Sequence, residues 1–237
     1  MTQNLQETRG QDSPKNLTQN GVKILESAFI TSATNPKNAP APSVTEIVFL
    51  GRSNVGKSSL INALLNAPLA KSSATPGKTQ LINFFFSLWL KENQKIPLCF
   101  VDLPGFGYAK VSKSIKKEWE KNLLSFLLSR QSIKLFLHLV DSRHTDLEID
   151  KSVEAFLQEI CKGDQRILRI YTKADKLKQN ALSSLQHKLT QQNILDSQTQ
   201  SYLCSITAKN HKITSIPALR EKILDFTLGG GGIENDI

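Results

Sequence analysis

One stretch limits what this chain can fold into more than any other. Gly51-Arg52-Ser53-Asn54-Val55-Gly56-Lys57-Ser58 follows the short apolar run Glu46-Ile47-Val48-Phe49-Leu50. That run reads as a buried strand by length and composition. Ser58 to Leu65 reads as the start of a helix, and Pro68 lies soon after its end. The chain must therefore pass from strand to helix through a loop bounded by glycines. Such a loop can wrap tightly enough for several backbone N–H groups to converge on phosphate oxygens. The helix behind it adds its positive N-terminal end. In that frame Lys57 can reach the outer phosphates of a nucleotide, and the Ser58 hydroxyl can bind a divalent cation. The pattern by itself does not choose the base.

The rest of the chain alternates. Leu81 to Leu90 and Ile96 to Leu103 read as strands joined by the polar turn Lys91-Glu92-Asn93-Gln94-Lys95. Ile115, Trp119, Leu123, Phe126 and Leu127 then recur at helical spacing. Strand-like Lys134 to Asp141, Arg166 to Thr172 and Ser201 to Ser205 alternate with helical Leu147 to Lys162, Asn180 to Gln192 and Ser215 to Thr227. Residues 1–21 read as a polar disordered tail, residues 22–228 as one folded domain, and residues 229–237 as a flexible glycine-rich tail. Thr31 to Ser43, with Pro36, Pro40 and Pro42, reads as an irregular connector. These alternations predict an α/β fold in three layers: a mostly parallel sheet of about six strands, one antiparallel edge strand, and helices on both faces. Ligands of such sheets sit at the carboxyl ends of the strands.

Composition narrows the partners. Thirty Lys and Arg against 21 Asp and Glu leave a net charge of +9, which favours a polyanion. Three scattered cysteines and four scattered histidines form no disulfide framework or metal-ligand spacing, and fit a reducing compartment. The polar N-terminus suggests no secretory signal. The apolar stretch Phe84 to Leu90 is far short of the ~20 residues of a membrane span. A cytoplasmic, monomeric protein without a membrane span or a DNA-binding role is expected.

Three more segments carry chemistry, each near the end of a strand or next to one. Asp102-Leu103-Pro104-Gly105 offers a carboxylate that can hold Mg²⁺ opposite Ser58, and a glycine N–H that can approach a γ-phosphate. Thr172-Lys173-Ala174-Asp175 offers a carboxylate that can accept from the ring N–H and exocyclic amine of guanine, donors that adenine lacks there. The Lys173 stem can pack over the base. Thr75-Pro76-Gly77-Lys78-Thr79-Gln80 offers two threonines, either of which could complete Mg²⁺ coordination, with Gly77 as a hinge.

Together with Phe29-Ile30-Thr31-Ser32-Ala33 and Phe106-Gly107-Tyr108, these segments resemble the EngB (YihA/YsxC) family of bacterial GTPases over about residues 22 to 227. The resemblance implies a Ras-like P-loop G domain that hydrolyses GTP to GDP with Mg²⁺. It implies a role in large ribosomal subunit assembly, with the subunit precursor or its rRNA as partner, and a requirement in normal cell division and septation. It makes Thr79 the Mg²⁺ ligand beside Ser58 and Asp102, with Lys78, Gln80 and Leu81 flanking it at the nucleotide. It aligns Cys204-Ser205-Ile206 with the loop that backs the guanine. That segment departs from the family's usual Phe-Ser-Ser, and Thr207-Ala208-Lys209 is the alternative.

Catalytic duties fall to Lys57, Asn54, Thr79 and Gly105. Many GTPases place a water-orienting Gln directly after Gly105, whereas this chain has Phe106, so slow intrinsic hydrolysis is expected. Help would come from a partner or from K⁺ held beside Asn54; the alternative for Asn54 is a polar residue that shapes the loop. Lys110, Lys113, Lys116, Lys117 and Lys121 form a basic stripe suited to RNA phosphates, or else an ordinary solvated helix face. Two other functions compete: a regulatory adaptor of division proteins with little use for hydrolysis, and an ATPase or small-molecule kinase, against which Asp175 argues.

Overall fold

The computed structural model describes residues 21–34, 36–71, 81–105, 113–196, 198–207 and 210–228; for 36 and 113–120 it gives the backbone course alone. The elements are β1 (Lys23–Ala33), β2 (Thr45–Gly51), α1 (Lys57–Leu65), β3 (Ile82–Lys91), β4 (Gln94–Asp102), α2 (Lys113–Ser129), β5 (Ile133–Asp141), α3 (Glu148–Ile160), β6 (Arg166–Thr172), α4 (Gln179–Leu195), β7 (Thr199–Leu203) and α5 (Ile216–Thr227). Among the described residues the strands form one sheet in the order β1-β3-β4-β2-β5-β6-β7. β4, β2, β5, β6 and β7 run parallel to one another, while β3 pairs antiparallel with both β1 and β4.

Alternation along β2 divides the core. Ile47 and Phe49 face a cluster that includes Leu60, Ile61 and Leu64 of α1 and Leu219, Ile223 and Leu224 of α5. Val48 and Leu50 face the other side, with Leu123, Phe126 and Leu127 of α2 and Val153, Leu157 and Ile160 of α3. Helices thus cover both faces, so β2 is apolar along most of its length rather than alternating with polar residues. Leu182 and Leu189 of α4 pack in a third cluster with Tyr171 and Leu203.

The expected α/β architecture is observed, with one more strand than the sequence suggests. β1 continues to Ala33, inside the stretch that reads as an irregular connector from Thr31. Its register shifts at Ile24/Glu26 and at Phe29/Thr31. Leu25 and Ile30, the residues skipped by these bulges, are each 46% exposed. Bulges break the alternation by which a strand is recognised, and they also blunt a free sheet edge. The β3–β4 hairpin turns on Glu92 and Asn93 alone, with φ of 49° and 66°, a two-residue turn rather than the five-residue one expected. The Ser215 hydroxyl caps α5 by accepting from the Ala218 N–H, with Pro217 in the first turn, where its missing N–H costs nothing.

Candidate functional site

β2, β5 and β6 are successive neighbours in the sheet and β4 lies on the other side of β2, so the loops leaving their carboxyl ends meet. At the end of β2, Gly51 is packed too closely for a side chain. A Cβ there would lie 2.9 Å from Val55 Cγ1 and 3.0 Å from the Leu139 carbonyl oxygen. The chain then turns through Asn54 (φ 59°) and Gly56 (φ 101°), both left-handed. The Val55 N–H donates to the Arg52 carbonyl at 3.3 Å, and the Leu60 N–H to that of Gly56 at 2.9 Å, so the turn runs directly into α1. Lys57 and Ser58 occupy the first turn of that helix.

Opposite them stands the end of β4, held to β2 by the Leu103 N–H, which donates to the Phe49 carbonyl at 3.1 Å. Lys57 Nζ donates to Asp102 Oδ1 in a largely buried ion pair. Asn83 of β3 approaches the second Asp102 oxygen at 3.5 Å, and its own Oδ1 accepts from the Ser32 hydroxyl of β1 at 2.7 Å. A cavity of about 330 Å³ lies between these walls. Arg52, Ser53, Asn54, Gly56, Lys57, Ser58 and Ser59 line one side; Asp102, Leu103, Pro104 and Gly105 line another; Lys71, Leu81, Asn83 and Lys173 complete it.

The end of β6 is tied to the same loop. The buried Thr172 hydroxyl lies 2.6 Å from the Val55 carbonyl, to which it can donate, and 3.2 Å from that of Val140. Lys173, at φ 56°, donates from Nζ to the Asn54 carbonyl at 2.5 Å and pairs with Asp141 at 3.0 Å. Burial works to raise the Asp141 carboxyl, but hydrogen bonds from Arg143 and Lys173 prevail and hold it well below the usual carboxylate range. Asp175 likewise feels burial, and is kept below its ordinary value by Ser205 and Lys176. The Ala174 N–H donates to the Cys204 carbonyl at 3.3 Å, so Cys204 and Ser205 stand against the 172–175 turn, while Ile206 is 51% exposed.

Two features were missed in the sequence. Asp141 ends a strand, as Asp102 does, and the same rule could have found it. The Arg52 guanidinium turns to Asp150 of α3, with Nε 3.1 and 3.0 Å from its two oxygens. Burial raises the Asp150 carboxyl, partly offset by Arg52. Beside it, burial together with Arg169 and Arg52 pushes His138 down to about 3, leaving a neutral imidazole. Thr75, Gly77, Lys78, Thr79, Gln80, Phe106, Gly107, Tyr108, Lys110, Ala208 and Lys209 lie outside the described residues. Of the basic stripe, Lys121 is exposed on α2, and Lys113, Lys116 and Lys117 belong to the part of that helix described by its backbone.

The donor set suits Mg²⁺. Ser58 and Asp102 line one cavity and offer a hydroxyl and a carboxylate, the hard oxygens that Mg²⁺ prefers. Among the described residues no three His, Cys, Asp or Glu side chains cluster as a metal cage.

A family model described as "50S ribosome-binding GTPase" matches residues 46–173, from the start of β2 to Lys173. A chain of Helicobacter hepaticus named "probable GTP-binding protein EngB" is 62% identical over 224 residues, covering 91% of this chain and all of that one. This chain belongs to the EngB family of GTP-binding proteins. A second EngB relative, from Wolinella succinogenes, is 52% identical over 168 residues, covering 70% of this chain and 84% of its own. As an EngB protein the chain is a GTPase and binds guanine nucleotide, and no described helix is long and apolar enough to cross a membrane. Solved structures bear out the fold. Arabidopsis thaliana Toc33 with Mg²⁺ and GMPPNP superposes with a TM-score of 0.53 at 18% identity, over 78% of this chain and 85% of that one. Era with MgGDPNP and a segment of 16S ribosomal RNA gives 0.50 at 19%, over 68% of this chain and 51% of that one.

Proposed function

We propose that this EngB protein is a Mg²⁺-dependent GTP switch that acts on the large ribosomal subunit precursor, and is required in turn for normal cell division. One observation carries the reading: a single loop, residues 51–58, is bonded on one side to the Thr172-to-Asp175 turn and faces Asp102 and Gly105 across a cavity on the other. Backbone N–H groups of Gly51 to Ser58 and the Lys57 ammonium hold the phosphates. Asp175 selects guanine, with Cys204-Ser205-Ile206 behind the base. Leu103 and Pro104 set the turn that aims the Gly105 N–H at the γ-phosphate. Gly77, Lys78, Gln80 and Leu81 flank Thr79 in sequence and would accompany it to the nucleotide.

Mg²⁺ would be held by Ser58 and Asp102, with Thr79 completing its protein ligands, and would neutralise charge that develops on the phosphate oxygens. In hydrolysis a water oxygen bonds to the γ-phosphorus, the bond from that phosphorus to the β–γ bridging oxygen breaks, and the water's protons pass to phosphate. Lys57 stabilises the charge that builds up on the leaving GDP. Phe106 offers the water no hydrogen bond, so the rate is set by a partner or by K⁺ beside Asn54.

The ribosomal reading is supported by the family's description and by the net charge of +9. Co-sedimentation of the full chain with large-subunit precursor particles tests it. Binding with a non-hydrolysable GTP analogue and release with GDP are expected. Equal recovery in both states, or none, would favour the division adaptor instead.

A further inference from the structure

Asp141 binds more positive charge than its own turn requires. It ends β5, directly opposite Thr172 in the parallel pair with β6, and its side chain is only 7% exposed. One carboxyl oxygen, Oδ1, accepts from the Arg143 N–H at 3.1 Å and from Arg143 Nε at 2.9 Å, and these bonds close the turn that follows the strand. The other, Oδ2, accepts from Arg143 Nη2 at 2.8 Å and from Lys173 Nζ at 3.0 Å. A carboxylate that only closed the turn would need Arg143 alone. The bond to Lys173 reaches 32 positions along the chain, into the turn after β6.

A lysine is a compact, hydrated charge on a flexible four-carbon stem, and left free the stem samples many rotamers. Here the tip of Lys173 is caught between two acceptors, Asp141 Oδ2 and the Asn54 carbonyl at 2.5 Å. The stem therefore runs along the phosphate loop: Lys173 Cε lies 4.0 Å from where a Cβ on Gly56 would be, and the residue lines the cavity. The two acceptors are unequal. The Asn54 carbonyl is neutral and sits in an exposed bend, whereas Asp141 is a charged group at the end of a central strand. A hydrogen bond between two ionised groups is roughly twice as strong as one between neutral groups. Asp141 is thus the firmer anchor of the lysine.

We propose that Asp141 is a positioning residue for the nucleotide base: it touches no part of the nucleotide, and fixes the Lys173 stem before the base arrives. The stem's rotamer freedom is then lost on folding rather than on binding, so an apolar shelf stands ready for the ring. Without Asp141 the ammonium keeps only the Asn54 carbonyl, the stem loosens, and bound nucleotide leaves sooner. GTP and GDP are affected alike, because both carry the same base. The inference rests on the reading of the 172–175 turn as the base-binding segment, and adds to it a residue of β5 that lies outside that segment.

The measurement is the release of fluorescently labelled GDP from the full chain with Mg²⁺. Asp141→Asn should speed release roughly tenfold, the loss of one charged hydrogen bond. Lys173→Met, which keeps an apolar stem without the ammonium, should speed it to a similar degree. The decisive chain carries both changes. Its release should be no faster than that of Lys173→Met alone, because Asp141 then has no ammonium to hold. Wild-type release from Asp141→Asn, or losses that multiply in the double variant as general damage to the fold would, overturns the proposal. Should Asp141→Asn not fold, Asp141→Glu is read in the same way: it displaces the charge by one methylene, so release should quicken in the lysine chain and gain nothing in the methionine chain. Asp175→Asn separates the two readings. Unchanged GDP affinity there would overturn the base-binding role of the turn and this proposal with it, whereas weakened affinity beside a failed double-variant result would overturn the role of Asp141 alone.

Discussion

Asn54 has one reason to be asparagine that involves no ion: its φ of 59° lies in the left-handed region, which asparagine enters more readily than most side chains. The proposed K⁺ site is a separate claim and needs a variant that keeps the backbone. Asn54→Gly does so, since glycine tolerates the same φ. If the side chain helps hold K⁺, wild-type kcat should be at least roughly tenfold higher in K⁺ than in Na⁺, a small part of what an arginine finger supplies. The glycine variant should show no such difference. Equal wild-type rates in the two salts would remove the ion from the mechanism. At this scale the segments 51–58, 102–105 and 172–175, which the fold brings together, could be picked out in the sequence, because phosphate and base chemistry fix their spacing. Arg52 with Asp150 escaped, since partners 98 positions apart share no local pattern.

Between elements, Arg130 and Glu46 form a buried ion pair. Arg130 follows α2 and Glu46 is the second residue of β2; both are buried. Arg130 Nε donates to Glu46 Oε2 at 2.7 Å and Nη1 to the Pro40 carbonyl at 3.0 Å, while the Ser132 hydroxyl adds a bond of 2.8 Å to Oε2. The guanidinium lies 5.6 Å and 5.0 Å from the ring centroids of Phe84 and Phe126. One side chain thus joins β2, the 36–43 connector, β3 and the end of α2. Arg130→Leu should cost about 3 kcal/mol or more, because Glu46 would remain buried and unpaired. Adding Glu46→Leu should recover much of that loss. Urea unfolding checks both, and a loss below about 1 kcal/mol for the single variant would show that the pair matters little. Element types were readable wherever apolar spacing was regular, as in β2, β5 and α2. β1 was not, because two bulges expose Leu25 and Ile30 and the strand it pairs with, β3, lies far along the chain.

For the molecule as a whole, the net charge of +9 sets a prediction about salt. If the ribosomal partner is met through the basic stripe of α2, Lys113, Lys116 and Lys117 would engage its phosphates. Reversing all three to Glu should weaken binding to large-subunit particles. It should also flatten the dependence of log K on log salt by about 0.7–0.9 for each phosphate no longer engaged. An unchanged slope would mean that α2 is a solvated face and that the particle is met elsewhere. Charge named a class of partner, whereas the surface that meets it is a matter of folding, which is why composition alone could not locate it.

The two flanks of the phosphate loop are attached to it differently. Thr172 and Lys173 bond directly to its carbonyls, whereas the other flank is tied to it at Asp102, by the Lys57 side chain, and Gly105 beyond that rests against Ser53. In a vice, that is one fixed jaw and one sliding jaw. The fixed jaw carries the base-reading Asp175 and the sliding jaw meets the third phosphate. On the proposed reading, then, discrimination against adenine is the same before and after hydrolysis: a cell rich in ATP would no more block the spent protein than the loaded one.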